Sequence, residues 1–72
     1  MNFKPMSFKY DIGQEVLYVC DGYPAEVRGT VTYRHMEYSV PRYDLDVPGQ
    51  KGWTTIAEKY LRPLHMMEMF DL

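Results

Sequence analysis

Residues 26–34 read Glu26-Val27-Arg28-Gly29-Thr30-Val31-Thr32-Tyr33-Arg34, and this stretch decides the fold class. Val27, Gly29, Val31 and Tyr33 alternate with Glu26, Arg28, Thr30, Thr32 and Arg34. A period of two with one apolar and one polar face is the pattern of a half-buried antiparallel strand. It predicts Tyr33 inside and Arg34 outside. Gly29 falls on the inner face, where a missing side chain lets a strand bend or another element approach.

Towards the C-terminus, Tyr43-Asp44-Leu45-Asp46-Val47 alternates again, with tyrosine, leucine and valine on one face. His35 to Pro41 between them is ambiguous: Tyr38-Ser39-Val40 suits a strand start, but Pro41 requires an edge, a bulge or a loop. Pro48-Gly49-Gln50-Lys51-Gly52 is a hairpin connection, and Trp53-Thr54-Thr55-Ile56 reads as a short strand. Ala57 to Tyr60 fits one helical turn and Leu61 to Leu64 a last short strand. Towards the N-terminus, Asp11-Ile12-Gly13-Gln14 signals a turn, Glu15 to Cys20 a strand, and Asp21-Gly22-Tyr23-Pro24 a second turn. Five short strands with tight turns predict an all-β fold, a small and strongly bent barrel over residues 11–64. Residues 1–10 are expected to form an extended N-terminal arm. Residues 65–72, with Met66, Met67, Met69, Phe70 and Leu72, read as an apolar tail or a short C-terminal helix.

Composition sets the outer limits. The chain has 72 residues, 46% apolar, 25% charged and 15% aromatic, with a formal charge of −2. Those values fit one small globular domain and exclude a disordered tail. No apolar run approaches the ~20 residues of a membrane-spanning helix, so no membrane partner is expected. Lys4, Pro5 and Lys9 interrupt the first ten residues, which therefore lack the apolar core of a secretory signal. Cys20 is the single cysteine, which excludes an internal disulfide and predicts a reducing, cytoplasmic setting. The initiator methionine and the absence of a second domain lead us to expect a complete small reading frame.

From Asp11 to Leu64, about three quarters of the chain, the order of these signals resembles the Src-homology-3-like small barrels, a group that includes Tudor and KOW modules. The resemblance rests on Ile12-Gly13-Gln14-Glu15-Val16, Gly29-Thr30-Val31, Tyr43-Asp44-Leu45 and Trp53-Thr54. Glu58-Lys59-Tyr60-Leu61-Arg62-Pro63-Leu64, as helical turn and closing strand, completes it. The chain lacks the acidic cluster in the first loop that proline-reading modules use. The resemblance implies a five-stranded Src-homology-3-like barrel with a ligand groove between the first loop and the third and fourth strands. Tyr23 and Trp53 would line that groove, with Tyr38 as a third wall and Asp21 as an acidic neighbour. Aromatic faces beside a carboxylate suit a cationic or methylated ammonium group, at ~0.5–2 kcal/mol per contact, or a proline-containing peptide. The competing reading makes Trp53 and Tyr38 packing residues in a domain with little else to bury.

Arg28, Arg34, Arg42 and His35 fall in one third of the chain, a basic grouping of the kind nucleic-acid binders use. Glu26, Asp44, Asp46 and the net negative charge favour cross-strand ion pairs on a solvated face instead. Cys20, His35 and His65 show no metal-ligand spacing, and no phosphate-cradling loop or paired-carboxylate signature is present. No metal, cofactor or catalytic residue is therefore expected. The expectation is a non-enzymatic module binding another protein, in the manner of accessory subunits and phage- or plasmid-encoded modulators of host enzymes. Its contacts would be Tyr23, Trp53, Tyr38, Asp21 and Arg42, and a homodimer would form through Met66, Met69 and Phe70. A nucleic-acid- or ribosome-associated barrel is the alternative. A small oligomeric enzyme with a site on its symmetry axis, as in plasmid-borne dihydrofolate reductases of this fold, comes third.

Overall fold

A computed structural model describes residues 7–20 and 26–64. The strands are β1 (Glu15–Tyr18), β2 (Val27–Glu37), β3 (Val40–Asp46), β4 (Ile56–Ala57) and β5 (Leu61–Pro63), with a 3-10 turn over Glu58–Tyr60. They form one five-stranded sheet in the order β4-β3-β2-β1-β5, and every pairing is antiparallel. The first four strands are a meander. The 3-10 turn then carries the chain back so that β5 pairs with the free side of β1. The domain is all-β, as its sequence predicts.

Among the described residues no ladder joins β4 to β5, so the expected barrel closure is not found. The edge strands explain it: β4 has two residues and β5 three, and Pro63 has no N–H to donate. The expected C-terminal helix falls in residues 65–72, outside the described residues. Among the described residues the Glu58–Tyr60 turn is the one helical piece, and no helix is long and apolar enough to cross a membrane.

The period-two reading of β2 holds as far as Val31 and then fails. Val31 faces Leu45, but the next pair is Tyr33 with Asp44, so β2 carries one residue more than β3 at this point. Such a bulge reverses the faces of every residue beyond it. Tyr33 is consequently 54% exposed. Arg34, expected outside, lies opposite Tyr43 on the core side and is half-buried.

The ambiguity at His35 to Pro41 resolves as a tight hairpin. Tyr38 and Ser39 form its two-residue loop with φ of 52° and 66°, and Val40 starts β3. Two consecutive positive φ values are the mark of the turn whose twist matches paired strands. Pro41 fits because the pair flanking such a loop, Glu37 with Val40, exchanges the hydrogen bonds, and the next pair does not. Its nitrogen therefore faces away from β2, beyond the end of β4. Pro48-Gly49 makes the predicted turn, with Gly49 at φ 79° and the Gln50 N–H donating to the Val47 carbonyl at 3.0 Å.

Two predicted strands are shorter than expected. β1 stops at Tyr18, after which the Val19 N–H donates to the Tyr60 carbonyl at 2.8 Å. Trp53 to Thr55 is not a regular strand, because Gly52 and Thr55 adopt φ of 87° and 52° and break the ladder. A positive φ is costly for β-branched Thr55. Two β3 side chains hold it there. Its N–H donates to Asp44 Oδ1 at 3.0 Å, and its carbonyl accepts from Arg42 at 3.0 Å.

The core is Tyr10, Val16, Val31, Tyr43, Leu45, Val47 and Leu61, with Phe8, Tyr18, Val27, Trp53 and Ile56 packed around it. Gly29 meets the predicted need for close approach. A Cβ there would lie 3.1 Å from Val47 Cγ2, 3.2 Å from Leu45 Cβ and 3.3 Å from the Asp46 carbonyl oxygen. The described part of the expected arm is not free: Tyr10 is 2% exposed and donates from its hydroxyl to the Leu61 carbonyl at 3.0 Å.

Candidate functional site

Three aromatic side chains from distant parts of the sequence form a row. Tyr18 ends β1, Trp53 follows the Pro48-Gly49 hairpin, and Tyr60 ends the 3-10 turn. The Tyr18 ring meets Trp53 edge-on at 5.0 Å between centroids and lies 6.1 Å from Tyr60. All three are half-buried, so each rests on the domain and keeps part of its ring in solvent. The Trp53 indole N–H donates to Gln50 Oε1 at 3.0 Å, which fixes the ring's orientation. Lys59 Nζ stands 5.2 Å from the centre of the Tyr60 ring.

Of the side chains proposed from sequence, Trp53 belongs to this row. Tyr38 does not. It is 94% exposed at the β2–β3 hairpin tip. Trp53 sits beside Leu45 through the Leu45 N–H bond to its carbonyl. Leu45 lies five positions along β3 from Val40, roughly 17 Å of extended chain. Asp21, Tyr23, Met66, Met69 and Phe70 lie outside the described residues. Arg42 is half-buried: besides holding Thr55, its Nε lies 3.1 Å from Glu37 Oε1.

Only part of the expected ion-pair pattern on the basic grouping is present. Arg42 and Glu37 do pair across the hairpin, although Glu37 replaces the expected aspartates. Arg34 turns towards the N-terminal segment: it donates to the Tyr10 carbonyl at 2.7 Å, pairs with Asp11 at 3.2 Å and covers the Phe8 ring at 4.8 Å. His35 stacks on Tyr33 at 5.5 Å. Among the described residues no three His, Cys, Asp or Glu side chains gather as metal ligands.

A polar knot joins that N-terminal segment to the 3-10 turn. The Tyr43 hydroxyl donates to Glu58 Oε2 at 2.6 Å and accepts the N–H groups of Lys9 and Tyr10 at 3.1 and 3.2 Å. Glu58 Oε2 also accepts the Lys9 N–H at 2.9 Å. Burial, with the Glu58 carboxylate as acceptor, pushes the Tyr43 hydroxyl up to about 12. Burial, and then the charge of Glu58, also raises Tyr10. Both phenols stay neutral at ordinary pH. They are structural donors and offer no base for chemistry.

Beside the knot, a cleft of about 590 Å³ opens between the start of β3, the 3-10 turn and β5. Arg42 is its one wall proposed from sequence.

Comparison with known proteins finds no matching family model, curated protein or solved structure.

Sequence reasoning missed Tyr18 and Tyr60 as partners of Trp53. Each was placed correctly on its strand or turn, but nothing in the pattern around residues 18, 53 and 60 says that the three meet.

Proposed function

We propose that the chain is a small protein-binding module whose ligand surface is the row Tyr60–Tyr18–Trp53. The observation that carries the reading is the row itself: the half-buried Tyr18 ring lies 5.0 Å from Trp53 and 6.1 Å from Tyr60, the three contributed by β1, a loop and a turn. Rigid aromatic side chains bring large contact area at low entropic cost, which is why they anchor peptide surfaces. The Src-homology-3-like assignment belongs to the same reading. It is supported by the order β4-β3-β2-β1-β5 and by the 3-10 turn just before the last strand. We further take the module as non-enzymatic and cytoplasmic, with self-association through Met66, Met69 and Phe70, which light scattering of the intact chain tests.

Trp53 is the one tryptophan, so its emission reports on the surface directly. Peptides selected from a displayed random library are titrated against that emission. Selected peptides are expected to shift it. Tyr60→Ala is expected to weaken them about tenfold while moving the melting temperature little, since a surface anchor contributes more to binding than to folding. Peptides that bind with no change in Trp53 emission and no response to Tyr60→Ala would overturn the proposal.

A further inference from the structure

The cleft beside the 3-10 turn carries a charge opposite to that of the chain. The protein's formal charge is −2. Yet the cleft is walled by Lys9, Arg42, Lys59 and Arg62 against one carboxylate, Glu58. That carboxylate is already committed to the Tyr43 hydroxyl and the Lys9 N–H. The two ion pairs among the described residues are Arg34 with Asp11 and Arg42 with Glu37, so Lys9, Lys59 and Arg62 have no carboxylate partner there. Arg62 is turned back onto the carbonyls of Lys59 and Leu61, both at 2.9 Å, which holds its charge beside the cleft. Gathering cations on a negative protein raises the potential locally and attracts anions.

The floor and the borders narrow the choice of anion. Val40, Pro41, Ala57 and Leu61 line the cleft with alkyl groups, so its occupant brings apolar side chains as well as charge. β4 and β5 both border the cleft and are the two edge strands of the sheet. The β5 edge is closed to a further strand, because the Leu61 N–H donates to the Glu58 carbonyl, the Leu61 carbonyl accepts from Tyr10 and Arg62, and Pro63 has no N–H. A nucleic acid carries the charge but lacks the alkyl groups that the apolar floor accommodates. From the basic walls and the apolar floor we infer that this cleft binds an acidic peptide segment of a partner protein, one that alternates carboxylates with apolar side chains. The cleft is lined by none of Tyr18, Trp53 and Tyr60, although Lys59 stands beside the Tyr60 ring, so this inference stands whether or not the aromatic row binds a ligand.

The test uses the intact chain and fluorescence anisotropy at low salt. The probe is a labelled decapeptide alternating glutamate with leucine; a glutamine-for-glutamate version and a labelled ten-nucleotide oligothymidylate are the comparators. The glutamate peptide is expected to bind about tenfold or more tightly than either comparator, and to weaken as salt rises. The variant Lys59→Glu with Arg62→Glu reverses two exposed charges and is expected to weaken it about tenfold or more. Arg28→Glu, on the exposed face of β2, is expected to leave affinity unchanged, and melting curves confirm that each variant is folded. Equal binding of the glutamine peptide, tighter binding of the oligonucleotide, or equal loss from Arg28→Glu would each overturn the inference. The salt dependence of the unmodified chain decides the matter if the double variant does not fold.

Discussion

On one side of the bulge in β2, Val31 faces Leu45, and Val16 and Val47 complete a patch of alkyl side chains that are all nearly inaccessible. On the other side, the same strand sets Arg34 opposite Tyr43, and Phe8, Tyr10 and Glu58 close around them. The first region is held by burial of apolar area, which is non-directional and tolerant of small shifts. The second is held by hydrogen bonds to a buried hydroxyl and by a guanidinium over a ring, which require particular partners at particular distances. An interior built from alkyl groups needs only the right pattern. An interior built from phenols needs a donor or acceptor for every polar atom, and here those come from the backbone of residues 9–10, the Leu61 carbonyl and the side chain of Glu58.

The sharpest way to break the comparison is to put a charge in the alkyl region. Val31→Asp is expected to cost at least about 3 kcal/mol and to leave the chain largely unfolded by circular dichroism, because the carboxylate finds no partner. Thr32→Asn, one residue along and exposed, is expected to be nearly neutral. Thr30→Asp is not a suitable control, since Thr30 lies between Glu15 and Asp46 in the sheet. Equal melting of Val31→Asp and Thr32→Asn would show that the register of β2 is wrong.

The phenolic region is probed next. Tyr43→Phe keeps the ring but leaves Glu58 and the Tyr10 N–H short of a partner, while the Lys9 N–H keeps its bond to Glu58, an expected loss of about 1–3 kcal/mol in urea titration. Its pH dependence is more specific. The fold raises the Tyr43 hydroxyl to about 12 by favouring the neutral form. Its contribution is therefore complete below the ordinary tyrosine value of about 10 and disappears as pH rises from about 10 to about 12. Tyr43→Phe is expected to flatten that alkaline limb. Tyr10, also raised, leaves a residual slope. An alkaline limb as steep as that of the parent would place the titrating group elsewhere.

Gly29→Ala tests how closely β2 and β3 meet beside the alkyl region. One of the three atoms the new methyl meets is a backbone carbonyl oxygen, so the strands must separate, at an expected cost of about 1–2 kcal/mol. A gain in stability, as alanine gives in an unconstrained strand, would show that the approach is looser than 3.1 Å.

The smallest effect is expected at the hairpin tip, and it is a gain. Tyr38→Asn with Ser39→Gly supplies the residues that two positive φ values favour, for about 1 kcal/mol of added stability. If the same change weakens partner binding, the exposed Tyr38 ring is kept for contact at the expense of the turn.

Much of the architecture was legible because its signals are local. The alternation of residues 26–31 and 43–47, the Pro48-Gly49 turn, the single turn at Glu58 and the short strand at Leu61 each follow from neighbouring residues. The bulge was not legible. Tyr33 and Arg34 continue the pattern in letters, and only pairing with β3 shows that one residue is extra. The Tyr38-Ser39 turn was hidden for a related reason: neither residue type favours positive φ, and the paired strands impose it. Of the side chains in the two proposed surfaces, the sequence reading named Trp53 and Arg42, but not the residues that surround them.

The sequence by itself determined that this is a small all-β domain, roughly where most of its strands lie, and which face of β3 is buried. Those properties depend on side-chain period and turn chemistry, which act over a few residues. Only the tertiary structure decided that Tyr18 meets Trp53 and Tyr60, that Tyr43 binds Lys9 and Glu58, and that Lys9, Arg42, Lys59 and Arg62 share a cleft. These contacts span tens of residues and arise from strand order. The return of β5 to β1 brings the 3-10 turn and residues 61–62 beside the N-terminal segment, and no local pattern encodes that return.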